Sequence, residues 1–261
     1  MSRNILSTST TFSTGTALVV GGSGGMGAVI CQTLADAGSA IAMTYRGNRE
    51  RAEQVAEKIR GSGRQVSLHQ LDIADAASVA AVCADIEASG QRLHTVVMAS
   101  GSDIKQPLIR HLTPEDWRAV LDADVNGFFN VLHATLPLLK KGGGGSYVHL
   151  SSCGIKRWPQ GDVLSVAPKA CIDSLLQGIA KEEGRHGVRA NSVGVGVIET
   201  GIFLRLKQEG VFDEKWCNAA LKNQCLKRFG QPQEIADAVL YLASANYVTG
   251  QTIMVDGGYT V

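Results

Sequence analysis

The stretch Ala17-Leu-Val-Val-Gly21-Gly-Ser23-Gly24-Gly25-Met26-Gly27 decides the reading of this chain. Its first four residues form a short apolar run, and helical periodicity takes over across residues 26–37. A glycine-rich turn carries information in that context, between a strand and a helix. Gly21 permits a tight strand-to-helix turn, while Gly25 and Gly27 let backbone approach a pyrophosphate and let the helix pack against the sheet. The helix N-terminus then turns unpaired N–H groups and a positive dipole end toward the phosphates. Gly21, Ser23, Gly24, Gly25, Met26 and Gly27 are therefore the expected phosphate cradle.

The same rhythm continues outward. Strand-like runs fall at Ala17–Val20, Ala40–Tyr45, Gln65–Leu71, Thr95–Met98, Ser146–Leu150, Arg189–Val193 and Thr252–Val255. Helical periodicity lies between them, near 26–37, 49–61, 76–89, 114–139, 163–185 and 232–243. Strands alternating with helices imply βαβ crossovers, hence a parallel sheet covered on both faces. The expected class is α/β, a single doubly wound Rossmann-type domain over 15–261, preceded by a flexible arm at 1–14. Residues 196–227 break the rhythm. They pass Phe203, Leu206, Phe212 and Trp216 with little strand character, as a substrate-binding loop or lid does.

Composition removes several function classes. The 261 residues carry 25 Lys+Arg and 24 Asp+Glu, a formal charge of +1, so no net field gathers nucleic acid or an acidic membrane surface. The six cysteines form no Cys-x-x-Cys pair, which argues against a zinc site or a disulfide framework and for a reducing, cytoplasmic setting. The opening MSRNILSTSTTFSTGT has no apolar core of a secretion signal, and no apolar run approaches ~18 residues. Neither metal nor membrane is expected.

The second strand-like run ends Met43-Thr44-Tyr45-Arg46, with Arg49 three residues on. A site for NAD usually has an acidic residue here to hold the ribose 2′-hydroxyl. Guanidinium instead suits a 2′-phosphate. NADP(H) is thus favoured over NAD(H), with Tyr45 and Arg46 at the adenosine ribose. The third run ends Leu71-Asp72-Ile73, where Asp72 and Ile73 can flank adenine.

These residues resemble the short-chain dehydrogenase/reductase superfamily, in its branch of roughly 250 residues. That family's Thr-Gly-x-x-x-Gly-x-Gly is matched by Val20-Gly21-Gly-Ser-Gly-Gly25-Met-Gly27. The stretches Arg228-Phe-Gly-Gln-Pro232-Gln-Glu-Ile235-Ala and Val248-Thr-Gly250-Gln-Thr-Ile-Met-Val-Asp256-Gly257-Gly258 are close family matches. The resemblance implies catalytic roles for Asn126, Ser152 and Lys169. It implies cofactor contacts at Ser100 and Gly101, in place of the family's Asn-Asn-Ala-Gly, at Val197 and Ile198 after Val195-Gly196, and at Lys169, which holds the nicotinamide ribose. One departure dominates. The family expects Tyr four residues before the lysine, and this chain has Ser165 there, thirteen residues after Ser152 as the family spacing requires.

A serine hydroxyl is far less acidic than a phenol of pKa ~10 and its side chain is shorter, so Ser165 is expected to hold a water or line the pocket. Three outcomes stay open. Hydride can reach a carbonyl, with water relayed through Asn126 and Lys169 as proton source. Hydride can add to an activated C=C, as in the similar 2,4-dienoyl-CoA reductases, whose separate tyrosine falls here at Gly154. Or the chain can be an NADP-binding sensor or partner with little turnover. His149, Cys153, Asp103, Lys105, Trp158 and Asp162 are the other groups near the expected pocket. The resemblance further implies a homotetramer, or a homodimer, through the helices at 114–139 and 163–185.

Overall fold

The computed structural model describes residues 11, 12, 14–101 and 104–261. Seven strands form one parallel sheet: β1 (Thr16–Val20), β2 (Ala40–Tyr45), β3 (Val66–Gln70), β4 (Leu93–Met98), β5 (Gly145–Ser152), β6 (Val188–Val195) and β7 (Thr252–Val255), in the order β3-β2-β1-β4-β5-β6-β7. The order reverses at β1, between β2 and β4. A doubly wound sheet opens its ligand crevice at such a reversal, beyond the carboxyl ends of the strands.

The period of two along a strand sorts side chains to opposite faces. Ala17 and Val19 of β1 join a core with α1 (Gly25–Asp36), α2 (Arg49–Gly61) and α9 (Pro232–Ser244). Leu18 and Val20 join the opposite core with α3 (Ala76–Ala88), α5 (Gly127–Lys141) and α6 (Val163–Glu183). Both faces of the sheet are thus buried, and the strand sequences accordingly read as near-continuous apolar runs. The segment Val163–His186 is long and apolar enough to cross a membrane by length and composition. Its Ile172, Leu176 and Ile179 are buried against the sheet, so it is a core helix.

Three features differ from, or add to, the periodicity. The helical stretch expected as one unit at 114–139 is α4 (Pro114–Val120), then one π-helical turn (Leu121–Asn126), then α5. Such a turn inserts a residue into the ladder without ending the helix, so apolar spacing alone does not reveal it. The segment 196–227 holds two helices, α7 (Gly201–Gln208) and α8 (Glu214–Lys222), around a small core of Phe203, Leu206, Phe212 and Phe229. Most of the arm expected at 1–14 lies outside the described residues. Phe12 within it stacks on His94 at 4.5 Å between ring centroids and donates its N–H to Ala37 O.

Between α8 and α9, Lys227 has φ +47°, a left-handed conformation that costs an L side chain about 1–2 kcal/mol. Its Nζ donates to Lys222 O at 3.0 Å, a bond on the surface. Lys227→Gly is expected to raise unfolding free energy by about 0.5–1 kcal/mol, after the entropic cost of glycine in the unfolded chain. Urea midpoints of the two proteins check this; a lower midpoint for the glycine variant contradicts it.

Candidate active site

Backbone builds the first part of the site. Gly21 has φ +77°, and a Cβ there would lie 2.8 Å from Ser100 N. Glycine is thus required at the point where the ends of β1 and β4 approach. Gly21 N–H donates to Thr44 Oγ1 at 3.0 Å, and Gly24 N–H to Gly21 O at 3.0 Å. A Cβ at Gly25 would overlap Thr200 Oγ1, and one at Gly27 would overlap Gly21 O. Gly24, the residue before α1, offers no side-chain cap, and the first turn holds no acidic residue. Open N–H groups, a positive helix end and backbone without side chains fit a dinucleotide pyrophosphate. Ser23 and Met26 are both half-buried within this loop.

The other expected cofactor contacts stand on the same rim. Tyr45 is buried at the end of β2, and Arg46 after it is exposed, its Nη2 3.8 Å from Asp72 Oδ2. Asp72 Oδ1 accepts from Ala74 N at 3.1 Å, while Ile73 O accepts from Asn130 Nδ2 of α5 at 2.9 Å. Ala99 N–H donates to Val20 O at 2.9 Å, which sets Ser100 beside Gly21, and Gly101 follows in open space. Val197 O accepts from Gly230 N at 2.9 Å, and Ile198 is buried and bridged to Gly230. Sequence reading missed two residues, Thr44 and Thr200. Thr44 stands one residue before Tyr45 on a strand already assigned. Thr200 follows Gly196 by four residues, and that spacing was the available signal.

Side chains build the second part. Ser152 ends β5, is buried, and accepts Gly154 N–H at 3.0 Å. Gly154 is wedged beneath α6: a Cβ there would lie 2.5 Å from Val166 Cγ2 and 3.0 Å from Ser152 Oγ. No tyrosine fits at 154. The same wedge sets Ser152 Oγ near Val166, the residue after Ser165. Ser165 and Lys169 are one helical turn apart, and Nζ donates to Ser165 Oγ at 3.0 Å.

Burial pushes the Lys169 ammonium below the ordinary lysine range, against the pull of Asp124, Asp162 and Asp173. Asp173, one turn further along α6, accepts from Ser151 Oγ at 2.8 Å and Ser192 Oγ at 2.5 Å, tying α6 to β5 and β6. Burial raises its carboxyl despite those bonds, and raises that of Asp162, which accepts from Gln106 Nε2 at 3.3 Å. Asn126 closes the π turn, and its Nδ2 donates to Asp122 Oδ1 at 2.8 Å. No direct Asn126–Lys169 bond is formed among the described residues, although the π turn itself packs against α6.

The remaining groups divide by strand face. His149 lies opposite Ser152 on β5, fully buried edge-on to Phe128 at 5.8 Å, with neither ring nitrogen hydrogen-bonded. Burial, then the Lys169 charge, lowers its pKa to about 3. A neutral buried histidine contributes stability above its unfolded value near 6.5, and that contribution is lost as pH falls toward 3. Cys153 is buried with its thiol pushed up to about 12, chiefly by burial. Trp158 and Lys105 are exposed, and Asp103 lies outside the described residues. Among the described residues no group of acidic, histidine or cysteine side chains could hold a metal ion.

Comparison with known proteins agrees with the fold. The family model described as enoyl-(acyl carrier protein) reductase matches residues 20–260. The 3-oxoacyl-(acyl-carrier-protein) reductase FabG of Staphylococcus aureus is 32% identical over 252 residues, 94% of this chain and 98% of that protein. A short-chain dehydrogenase/reductase from Mycobacterium ulcerans superimposes with a TM-score of 0.87 at 28% identity, over 94% of this chain and 89% of that one. A gluconate 5-dehydrogenase from Burkholderia cenocepacia, solved with NADP and tartrate, gives 0.85 at 29% identity over 94% of each chain. With its glycine cradle at the strand-order reversal and a half-buried lysine beside a serine at the strand ends, the chain belongs to the short-chain dehydrogenase/reductase superfamily of nucleotide-binding oxidoreductases.

Proposed function

We propose that the chain is an NADP(H)-dependent reductase acting on the carbonyl, or the activated C=C, of a small, largely apolar substrate, with a proton source other than a tyrosine. The observation that carries this reading is the Ser165–Lys169 hydrogen bond of 3.0 Å, set where the family has its phenol. The bound dinucleotide supplies hydride. Gly21, Gly24, Gly25 and Gly27 would hold its pyrophosphate, Arg46 its 2′-phosphate, and Lys169 its nicotinamide ribose.

Ser152 Oγ accepts from backbone, which leaves its own proton to polarise the substrate oxygen. Ser165 positions a water between that oxygen and Lys169; as the water gives its proton to the oxygen it takes one from the Lys169 ammonium, which is reprotonated from solvent. The relatives described as 3-oxoacyl reductases favour a carbonyl substrate. The absent phenol favours a second reading, an NADP(H)-binding protein with little turnover. We further infer a homotetramer or homodimer through α5, where Phe129 is 52% exposed and stacks on His133.

NADPH oxidation over a panel of ketones, β-ketoacyl thioesters and enones tests the reading. Ser165→Tyr is the sharp variant: ordinary ketone reduction is expected to rise by about 10²–10⁴-fold, the usual contribution of a positioned acid. An unchanged rate in a folded, NADPH-binding variant contradicts the idea that only the donor is missing. Flat NADPH absorbance across the panel, with binding retained, supports the sensor reading instead.

Coenzyme choice has its own test. Arg46 is largely exposed and only loosely paired with Asp72, so it is free to meet a phosphate. A charge-assisted hydrogen bond contributes about 1.5–3 kcal/mol. Arg46→Ala is expected to weaken NADPH binding by about 10–100-fold and NADH binding by less than about threefold. Equal loss for both coenzymes in titration removes Arg46 from the 2′-phosphate.

A further inference from the structure

Serine and lysine one turn apart on α6, with Nζ and Oγ 3.0 Å apart, form the geometry in which an amine activates an alcohol. Four features converge on that alcohol. Ser165 stands in the first turn of α6, where the helix dipole favours developing negative charge on oxygen. Ser152, set near Val166 through the Gly154 wedge, has a hydroxyl proton to offer an oxyanion. Val163 and Leu164, just before Ser165, pack with Val120 against Ile104, Leu112 and Trp117, so the flank of the alcohol is apolar. Burial lowers the affinity of Lys169 for its proton.

We propose that Ser165 is a nucleophile that accepts an acyl group from an activated ester or thioester, with Lys169 as its general base and Ser152 donating to the oxyanion. The activity is separate from hydride transfer and needs no dinucleotide. In the first step the Ser165 Oγ–carbon bond forms and the carbon–sulfur or carbon–oxygen bond of the donor breaks. The hydroxyl proton passes to Lys169 Nζ and from there to the leaving thiolate or alkoxide. In the second step water repeats the exchange, releasing the carboxylic acid and restoring the Ser165 hydroxyl. No electrons are transferred.

Asp124 from the π turn, Asp162 at the start of α6 and Asp173 one turn on hold the proton on Lys169, while His149 on β5 is neutral. Acylation is therefore expected to quicken as pH rises through the lysine pKa. Dinucleotide engaging Lys169 through its ribose should slow it.

The test incubates the full chain, free of dinucleotide, with p-nitrophenyl butyrate and separately with butyryl-CoA, then maps the label by peptide mass spectrometry. One butyryl group on the peptide carrying Ser165 is expected. It should be absent in Ser165→Ala and to form about 100-fold more slowly in Lys169→Met, the scale of a lost general base. Near-ultraviolet circular dichroism confirms that both variants are folded. Label confined to cysteines or surface lysines, or equal label in Ser165→Ala, overturns the proposal. NADPH titration of the same samples reports on the reductase reading independently.

Discussion

Replacing Lys169 with methionine is expected to lower kcat for the best carbonyl substrate by about 10²–10⁴-fold and to weaken dinucleotide binding as well. The methylene stem survives in methionine, so the packing of α6 against β5 and β6 is kept while the ammonium is removed. Three effects follow from the geometry. Ser165 loses its 3.0 Å partner, and with it the water it is proposed to position. The nicotinamide ribose loses its proposed donor. Asp162 and Asp173 lose a positive charge that holds both carboxyls down, so they move further above the ordinary range. Lys169→Arg is expected to recover little, because a planar guanidinium does not fit the compact place of an ammonium. Steady-state kinetics and fluorescence titration check the prediction. A kcat within threefold of the parent for methionine would remove Lys169 from the chemistry.

What could be read in the sequence divides along the range of the interactions involved. Each strand is a short apolar run bounded by turn residues, and the cradle is a contiguous spacing of glycines; both are local signals, and both are visible in the chain. The π turn at Leu121–Asn126 is not local in that sense. The apolar periodicity of 114–139 continues through it, and it becomes visible only when α5 is seated against Ile73 and the turn packs on α6. The wedge of Gly154 beneath Val166 and the link from Asp173 to Ser151 and Ser192 join residues well separated along the chain, by 22 and 19 positions for the two links of Asp173. No spacing along the chain encodes them. Thr200 belongs to the same class, since its place against Gly25 depends on β6 lying three strands from β1. The Ser165–Lys169 bond is the exception. A separation of four on a helix is legible in advance, and the structure adds its length and its half-buried setting.

Gly27→Ala is the second large effect, and its cause is backbone against backbone. A Cβ at 27 would overlap Gly21 O and lie 2.9 Å from both Gly21 C and Gly22 Cα. Those atoms cannot swing aside as a side chain does. Gly21 is fixed in its left-handed turn by the Gly24 and Thr44 hydrogen bonds and by Ser100 behind it. The chain must open the cradle to admit one methyl group. Forcing a group into a packed site costs about 1–3 kcal/mol. Dinucleotide affinity should fall by at least about 100-fold, roughly 2.7 kcal/mol, because the pyrophosphate needs several N–H groups at once. Gly25→Ala first meets the hydroxyl and Cβ of Thr200 and the Gly201 amide. It should cost less in stability while still hurting binding, since its methyl group points across the cradle. Gly178→Ala in α6 meets nothing within 4 Å and should stabilise by about 1 kcal/mol, the ordinary helix preference for alanine. Urea denaturation and NADPH titration of the three variants give three different pairs of numbers. A Gly27→Ala protein that binds NADPH as tightly as its parent would mean the phosphates lie elsewhere.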